Sequence, residues 1–163
     1  MREGVGAPAL IWPHLPARAS VVFDRRRPLF DLAEDAGDEG AASAFVFLAL
    51  DEEGEPADLV AWAPQEQRLA AWFGASPLLG AENLWAPRLT RESALAVFES
   101  PLGWLRAGRE GVVVVDPSGS APLLRRAEPL VTESIDHGQR LRRRLTVKPP
   151  RIYVAKSELR SAA

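Results

Sequence analysis

Along the middle of the chain, short apolar runs alternate with polar, turn-forming stretches. Phe45 to Leu50 is apolar, Asp51 to Ala57 holds Gly54 and Pro56, and Asp58 to Ala63 is apolar again. Two such runs around a medium loop predict a β-hairpin. Arg68 to Phe73 follows after the polar Pro64 to Gln67 and closes on Gly74. It extends the hairpin to a three-stranded antiparallel meander, with Leu69 and Phe73 on one face, Trp72 on the other, and Trp62 and Trp72 turned to the same side. The competing reading is a helix from Pro64 to Phe73, with proline in the first turn and Gly74 as its stop.

Ala75 to Leu89 contains Pro77, Gly80 and Pro87 and reads as a loop carrying Leu78, Leu79 and Trp85 over the core edge. Beyond it, Ala94 to Phe98 predicts a strand. Ser100-Pro101 predicts a helix start, the serine oxygen accepting from an orphan amide and proline taking the first helical position. Gly108 ends that helix, and Val112-Val113-Val114-Val115 predicts a strand buried on both faces. Asp116-Pro117-Ser118-Gly119 reads as the turn after it. Thr132 to Leu145 predicts a helix with Val131, Ile135, Leu141 and Leu145 as its apolar stripe.

These elements assemble into an α+β domain over residues 45–146: an antiparallel β-meander, a strand–helix–strand unit and a C-terminal helix. Extended arms flank it at both ends. Residues 1–44 read as a proline-broken arm and acidic linker, in which Val21-Val22-Phe23 adds a short strand. Residues 147–163 read as a tail, because Pro149-Pro150 stops the preceding helix.

Composition narrows the chemistry. With 163 residues, 47% hydrophobic and 26% charged, the chain suits one folded domain. The absence of cysteine excludes disulfides, thiolate zinc sites and a cysteine nucleophile. No run approaches the ~18 apolar residues of a membrane span, and Met1 to Ala19 lacks a signal-peptide layout. The cytoplasm is the expected location. The basic residues are almost all arginine and alanine is abundant, as in a GC-rich bacterial genome or its phage.

Net charge is −2 but unevenly spread: from Ala121 onward ten basic residues stand against four acidic ones. Arg140, Arg143 and Arg144 on the last helix, followed by Lys148 and Arg151, are spaced to follow a phosphate backbone. They equally suit an acidic protein partner, and in a last helical turn arginines also oppose the helix dipole. Asp136 and Arg140 are spaced for an i,i+4 pair. Trp12, Trp62 and Trp72 are candidate anchors, able to stack on bases or to fill a partner's pocket.

Other constellations carry less. Glu133 and His137 stand four apart, at the spacing of an ordinary helix-face contact, and His14 lies in the arm. Ser118 and Ser120 flank Gly119 but lack the Gly-x-Ser-x-Gly pattern of a nucleophile elbow. No phosphate-binding glycine loop or cofactor motif is present.

Glu99 and Asp116 each fall at the C-terminal end of a strand, where α/β sheets place their chemistry. The run Leu95-Ala96-Val97-Phe98-Glu99-Ser100-Pro101-Leu102-Gly103-Trp104-Leu105 resembles the first motif of Toprim domains, found in bacterial primases and topoisomerases. Val112 to Ala121 is similar in outline to that family's Asp-x-Asp strand. The resemblance implies an acid–base role for Glu99 and metal binding by Asp116. The chain departs from the pattern in having Ser100 for glycine, Ser118 for the second aspartate, and Asp116 one strand early. Those departures point to a degenerate, non-catalytic relative. Ser100 to Gly108 is also similar to segments of small bacterial and prophage proteins of no assigned activity. The expected function is therefore a non-enzymatic accessory protein that binds a protein partner through its arms and arginine helix. The alternative is a nucleic-acid-binding module.

Overall fold

The computed structural model describes residues 16–35, 37–85, 94–127 and 129–146. Five strands form the first sheet: β1 (Ala17–Phe23), β2 (Phe30–Leu32), β3 (Ala41–Leu50), β4 (Pro56–Ala63) and β5 (Arg68–Ala71), in the order β2-β1-β3-β4-β5 and antiparallel throughout. The predicted meander is β3-β4-β5. Its third member is a strand, because Gly74 comes only after an extended run paired to β4 from Val60↔Ala71 to Ala63↔Arg68.

The sheet curls until its ends meet. Ala71 N–H donates to the Pro28 carbonyl at 2.9 Å, and Leu29 bridges Ala71 in parallel. Side chains alternate across the strands, so one face of all five points into the curl. That interior holds Val21, Phe23, Phe30, Ala42, Ala44, Val46, Ala61, Ala63 and Ala70. Alanine predominates because a five-stranded barrel has a narrow lumen. The outer face of β3 to β5, with Phe47, Ala49, Val60 and Ala71, is buried as well.

This arrangement corrects three expectations. Residues 17–44 are no arm over their described part: β1 pairs with β3 over six residue pairs, and Val21 is fully buried. The acidic stretch around Asp31 concealed this, although Asp31 is an exposed residue of β2 and the charges after it lie in the exposed β2–β3 connection. Trp62 and Trp72 lie on opposite faces, because Trp62 packs against the outer cluster and Trp72 against the interior one. Phe73 lies beyond β5, is exposed and stacks on Trp72 with ring centroids 5.0 Å apart.

The second sheet has the order β6-β8-β7-β9, built from β6 (Leu78–Leu79), β7 (Leu95–Phe98), β8 (Val112–Val114) and β9 (Leu130–Thr132). β7 runs parallel to β8 and β9, while β6 is antiparallel to β8. Three helices connect and cover it: α1 (Pro101–Arg106), α2 (Pro117–Arg126) and α3 (Ile135–Leu145). Leu124 of α2 and Leu141 of α3 pack on one face with Leu78, Leu95, Val97 and Val112. On the other, Leu79, Trp104, Val113 and Val115 meet the outer face of the barrel. The valine run is thus buried on both sides, as its composition predicts.

The strand–helix–strand unit and terminal helix are present, with additions. Asp116–Gly119 opens α2 instead of forming a free turn: the Asp116 carboxylate accepts from Ser118 and Gly119 N–H, and Pro117 takes the first helical position. Ser100 caps α1 without a side-chain hydrogen bond. Leu78 and Leu79 are fully buried in β6, where a loop was expected. The last helix starts at Ile135, capped by the Ser134 hydroxyl, and Leu130–Thr132 is a strand. The buried face of that helix is therefore His137 and Leu141, while Ile135 is 81% exposed. Among the described residues, no helix is long and apolar enough to cross a membrane.

Candidate functional site

Parallel strands β7 and β8 end on the same side of their sheet, and that edge gathers most of the predicted site residues that the structure describes. Glu99 follows β7 directly. Its N–H donates to the Glu133 carboxylate at 2.6 Å, and its own carboxylate accepts from the Arg140 guanidinium. This is the sole salt bridge among the described residues. Both side chains are about half exposed, 45% for Arg140 and 55% for Glu99. Screening by water holds such a pair to about 0–1 kcal/mol, so it positions groups more than it stabilises the fold.

These contacts replace two that the spacing suggests. Arg140 pairs with Glu99 instead of Asp136. Glu133 precedes the helix cap, so it shares no helix face with His137; its carboxylate lies over Gly103, where an added Cβ would come within 2.4 Å of its oxygen. Glycine at 103 makes room for the acid that holds Glu99.

Glu99 is a wall common to two cavities. One, of about 200 Å³, is lined by Phe98, Val114, His137, Arg140, Leu141 and Arg144. The other, of about 390 Å³, is lined by Trp62, Pro64, Gln67, Leu69, Ser100 and Pro101. The site thus joins Trp62, Arg140 and Arg144 around one carboxylate. Trp72 is separate, on the barrel's other face, and Arg143 is exposed outside both cavities. Trp12, Lys148 and Arg151, and likewise His14, lie outside the described residues. Nothing in the local pattern near Glu99 signals Trp62, because the barrel brings it there from a distant strand.

The chemistry available is electrostatic. Both oxygens of Asp116 are engaged by α2 amides at 2.9 and 3.0 Å, and Glu99 is held by Arg140. Ser120 is buried, its hydroxyl directed to the Pro117 carbonyl. Among the described residues no group of three or more histidine, aspartate or glutamate side chains is placed to hold a metal.

His137 is 8% exposed, and its Nδ1 is buried without a hydrogen-bond partner. Burial pushes the imidazole below its ordinary value of 6.5; Arg140 and Arg144 act the same way, and Glu99 and Glu133 oppose them. Below pH 6.5 the unfolded chain therefore takes up a proton that the folded chain resists. Stability at this position is full above 6.5 and declines as pH falls below it. Replacing His137 with leucine is expected to flatten the urea midpoint between pH 7.5 and 5.5. An equal drop in the wild type and the variant would show that other groups carry the acid sensitivity.

Comparison with protein-family models, with curated proteins and with solved structures gave no match.

Proposed function

We propose that the protein is a non-enzymatic binding module, whose α3 arginine face and adjoining Trp62 groove engage an acidic protein partner. The observation that carries this reading is the meeting, at Glu99, of a groove walled by Trp62, Leu69 and two prolines with a cationic surface. Arg142, Arg143 and Arg144 are exposed on α3, and Arg125 joins them from α2 through its hydrogen bond to the Leu145 carbonyl at 2.8 Å. An aromatic anchor flanked by exposed guanidinium groups is the composition of a protein-binding hot spot with its polar rim. The carboxylates that a catalytic reading needs are occupied by structural partners.

A nucleic-acid surface is the second reading, favoured by four arginines within five positions of one helix, at 140 and 142–144. The barrel argues against it. Residues 16–74 carry twelve acidic side chains against five basic ones, which repels a polyanion approaching from that side.

The two readings part experimentally. Untagged protein purified from its own host is expected to retain a protein that both Trp62→Ala and the combined Arg142→Ala, Arg143→Ala, Arg144→Ala variant lose. If DNA is bound instead, four phosphate contacts would weaken affinity by roughly 100-fold between 50 and 200 mM salt. A steep salt dependence that the triple variant flattens would replace the protein partner with nucleic acid.

A further inference from the structure

The smaller of the two cavities that share Glu99, about 200 Å³, lies between the C-terminal ends of β7 and β8 and helix α3. Phe98 and Val114 line it from the two strand ends. Helix α3 supplies His137, Arg140, Leu141 and Arg144. Those four stand at i, i+3, i+4 and i+7, so one stripe of the helix faces the cavity. Phe98, Val114 and Leu141 form its apolar part, beside which charges are screened less than in open water.

The charges around this cavity do not balance. Two guanidinium groups line it against one carboxylate. Glu99 holds Arg140, while Arg144 has no salt bridge among the described residues. The nearby Glu133 carboxylate is engaged by Glu99 N–H. His137 adds a second imbalance: its ring is 8% exposed, and its Nδ1 has no hydrogen-bond partner among the described residues. Buried polar atoms are ordinarily paired. A surplus guanidinium and an unpaired imidazole on the walls of one cavity point to an anion from outside the chain.

Glu99 shows which anion. The group that Arg140 accepts within the chain is a carboxylate, and the planar guanidinium fork matches a carboxylate's two oxygens. The hold is weak, because both side chains are about half exposed and water screens the pair. Glu99 can therefore leave Arg140 and keep its charge in water. We propose that the cavity receives one carboxylate, from an aspartate or glutamate side chain of the acidic partner, which displaces Glu99 and is held between Arg140 and Arg144. The source of that carboxylate rests on the reading of α3 as a partner surface. Glu99 is then an internal competitor. It neutralises Arg140 until a carboxylate arrives whose apolar neighbours also fill the adjoining Trp62 groove.

Magnetic resonance titration of the full chain tests this. The probes are N-acetylglutamate α-amide, which carries one carboxylate, its uncharged glutamine counterpart, and sulfate. The reporter is the His137 ring, one of two histidines in the chain, assigned by comparison with His14→Ala. The glutamate probe should shift the His137 signals saturably, and the glutamine probe should leave them in place. Glu99→Gln keeps the side-chain shape and removes the competing charge, so it should bind the glutamate probe about threefold more tightly. Arg144→Ala should bind it about tenfold more weakly. Unchanged affinity in Glu99→Gln would overturn the competition, and unchanged affinity in Arg144→Ala would overturn the site. The site also falls if the glutamate probe gives no saturable shift in either the wild type or Glu99→Gln. Binding of sulfate alone would overturn the carboxylate assignment in favour of a phosphate-type site. The partner reading fails separately. If the probe binds as expected and no host protein co-purifies, the carboxylate site stands and the partner reading falls. If a host protein is retained equally by wild type and Arg144→Ala, the partner reading stands and its carboxylate enters elsewhere.

Discussion

Replacing Asp58 with alanine is expected to destabilise the protein by about 4 kcal/mol, lowering its urea midpoint by roughly 2 M. Asp58 is 5% exposed at the start of the β4 ladder. One carboxylate oxygen accepts from Leu59 and Phe73 N–H at 2.7 and 3.0 Å, and the other from Ala75 and Ser76 N–H at 2.8 and 3.3 Å. Alanine would leave four backbone donors around the emptied carboxylate site to find water or remain unpaired. The segment after β5 carries the chain from the barrel to the second sheet, so the loss acts on both. Asparagine offers one acceptor oxygen and turns an NH₂ toward the other pair of donors, and should cost roughly half as much. A loss below about 1 kcal/mol in the alanine variant would show that solvent already serves these amides.

The second large effect is expected at Trp104. Its ring is 2% exposed and meets Phe47 of the barrel edge to face, with centroids 6.2 Å apart. Its Nε1–H donates to the Gly111 carbonyl at 3.0 Å, which also accepts from Asn83 Nδ2. Trp104→Ala should cost about 3–5 kcal/mol, the range for emptying a large aromatic site in a packed core. Trp104→Phe keeps the packing and leaves Asn83 on the carbonyl, so it should cost much less. Chemical denaturation of the two variants checks this. If the alanine variant loses less than about 1.5 kcal/mol, the cluster does not join the two sheets as its packing indicates.

What could be read in advance follows from which forces are local. The β3–β4–β5 meander and the buried valine strand were legible because alternation and turn residues are encoded within a few positions. Val21 to Phe23 was legible as a strand and lies within β1, but its full length and β2 were obscured by Pro28 and the acids around Asp31, whose neighbourhood is polar although the sheet beside it is not. α2 was missed because Pro117, Gly119 and Pro122 are poor helix residues; the Asp116 cap and burial of Leu124 override that preference. The site was partly legible. Glu99 stood out as a strand-end carboxylate and Arg140 as a member of the arginine helix, but their pairing depends on how α3 lies across the sheet. The side assigned to Trp72 failed for a finer reason. A strand's faces exchange with each residue, so placing Trp62 and Trp72 together required the register of β5, which the sequence does not state.

The seam between Leu29 and Ala71 bears on how much of this chain is a movable part. A terminal extension can be gained, lost or traded among proteins without disturbing what it is attached to. Strands that complete a ring cannot, because removing them opens the β3 edge and bares the alanine-lined interior. The barrel's first described strand begins at Ala17, and in heredity the stretch from there to the second sheet should travel as one piece.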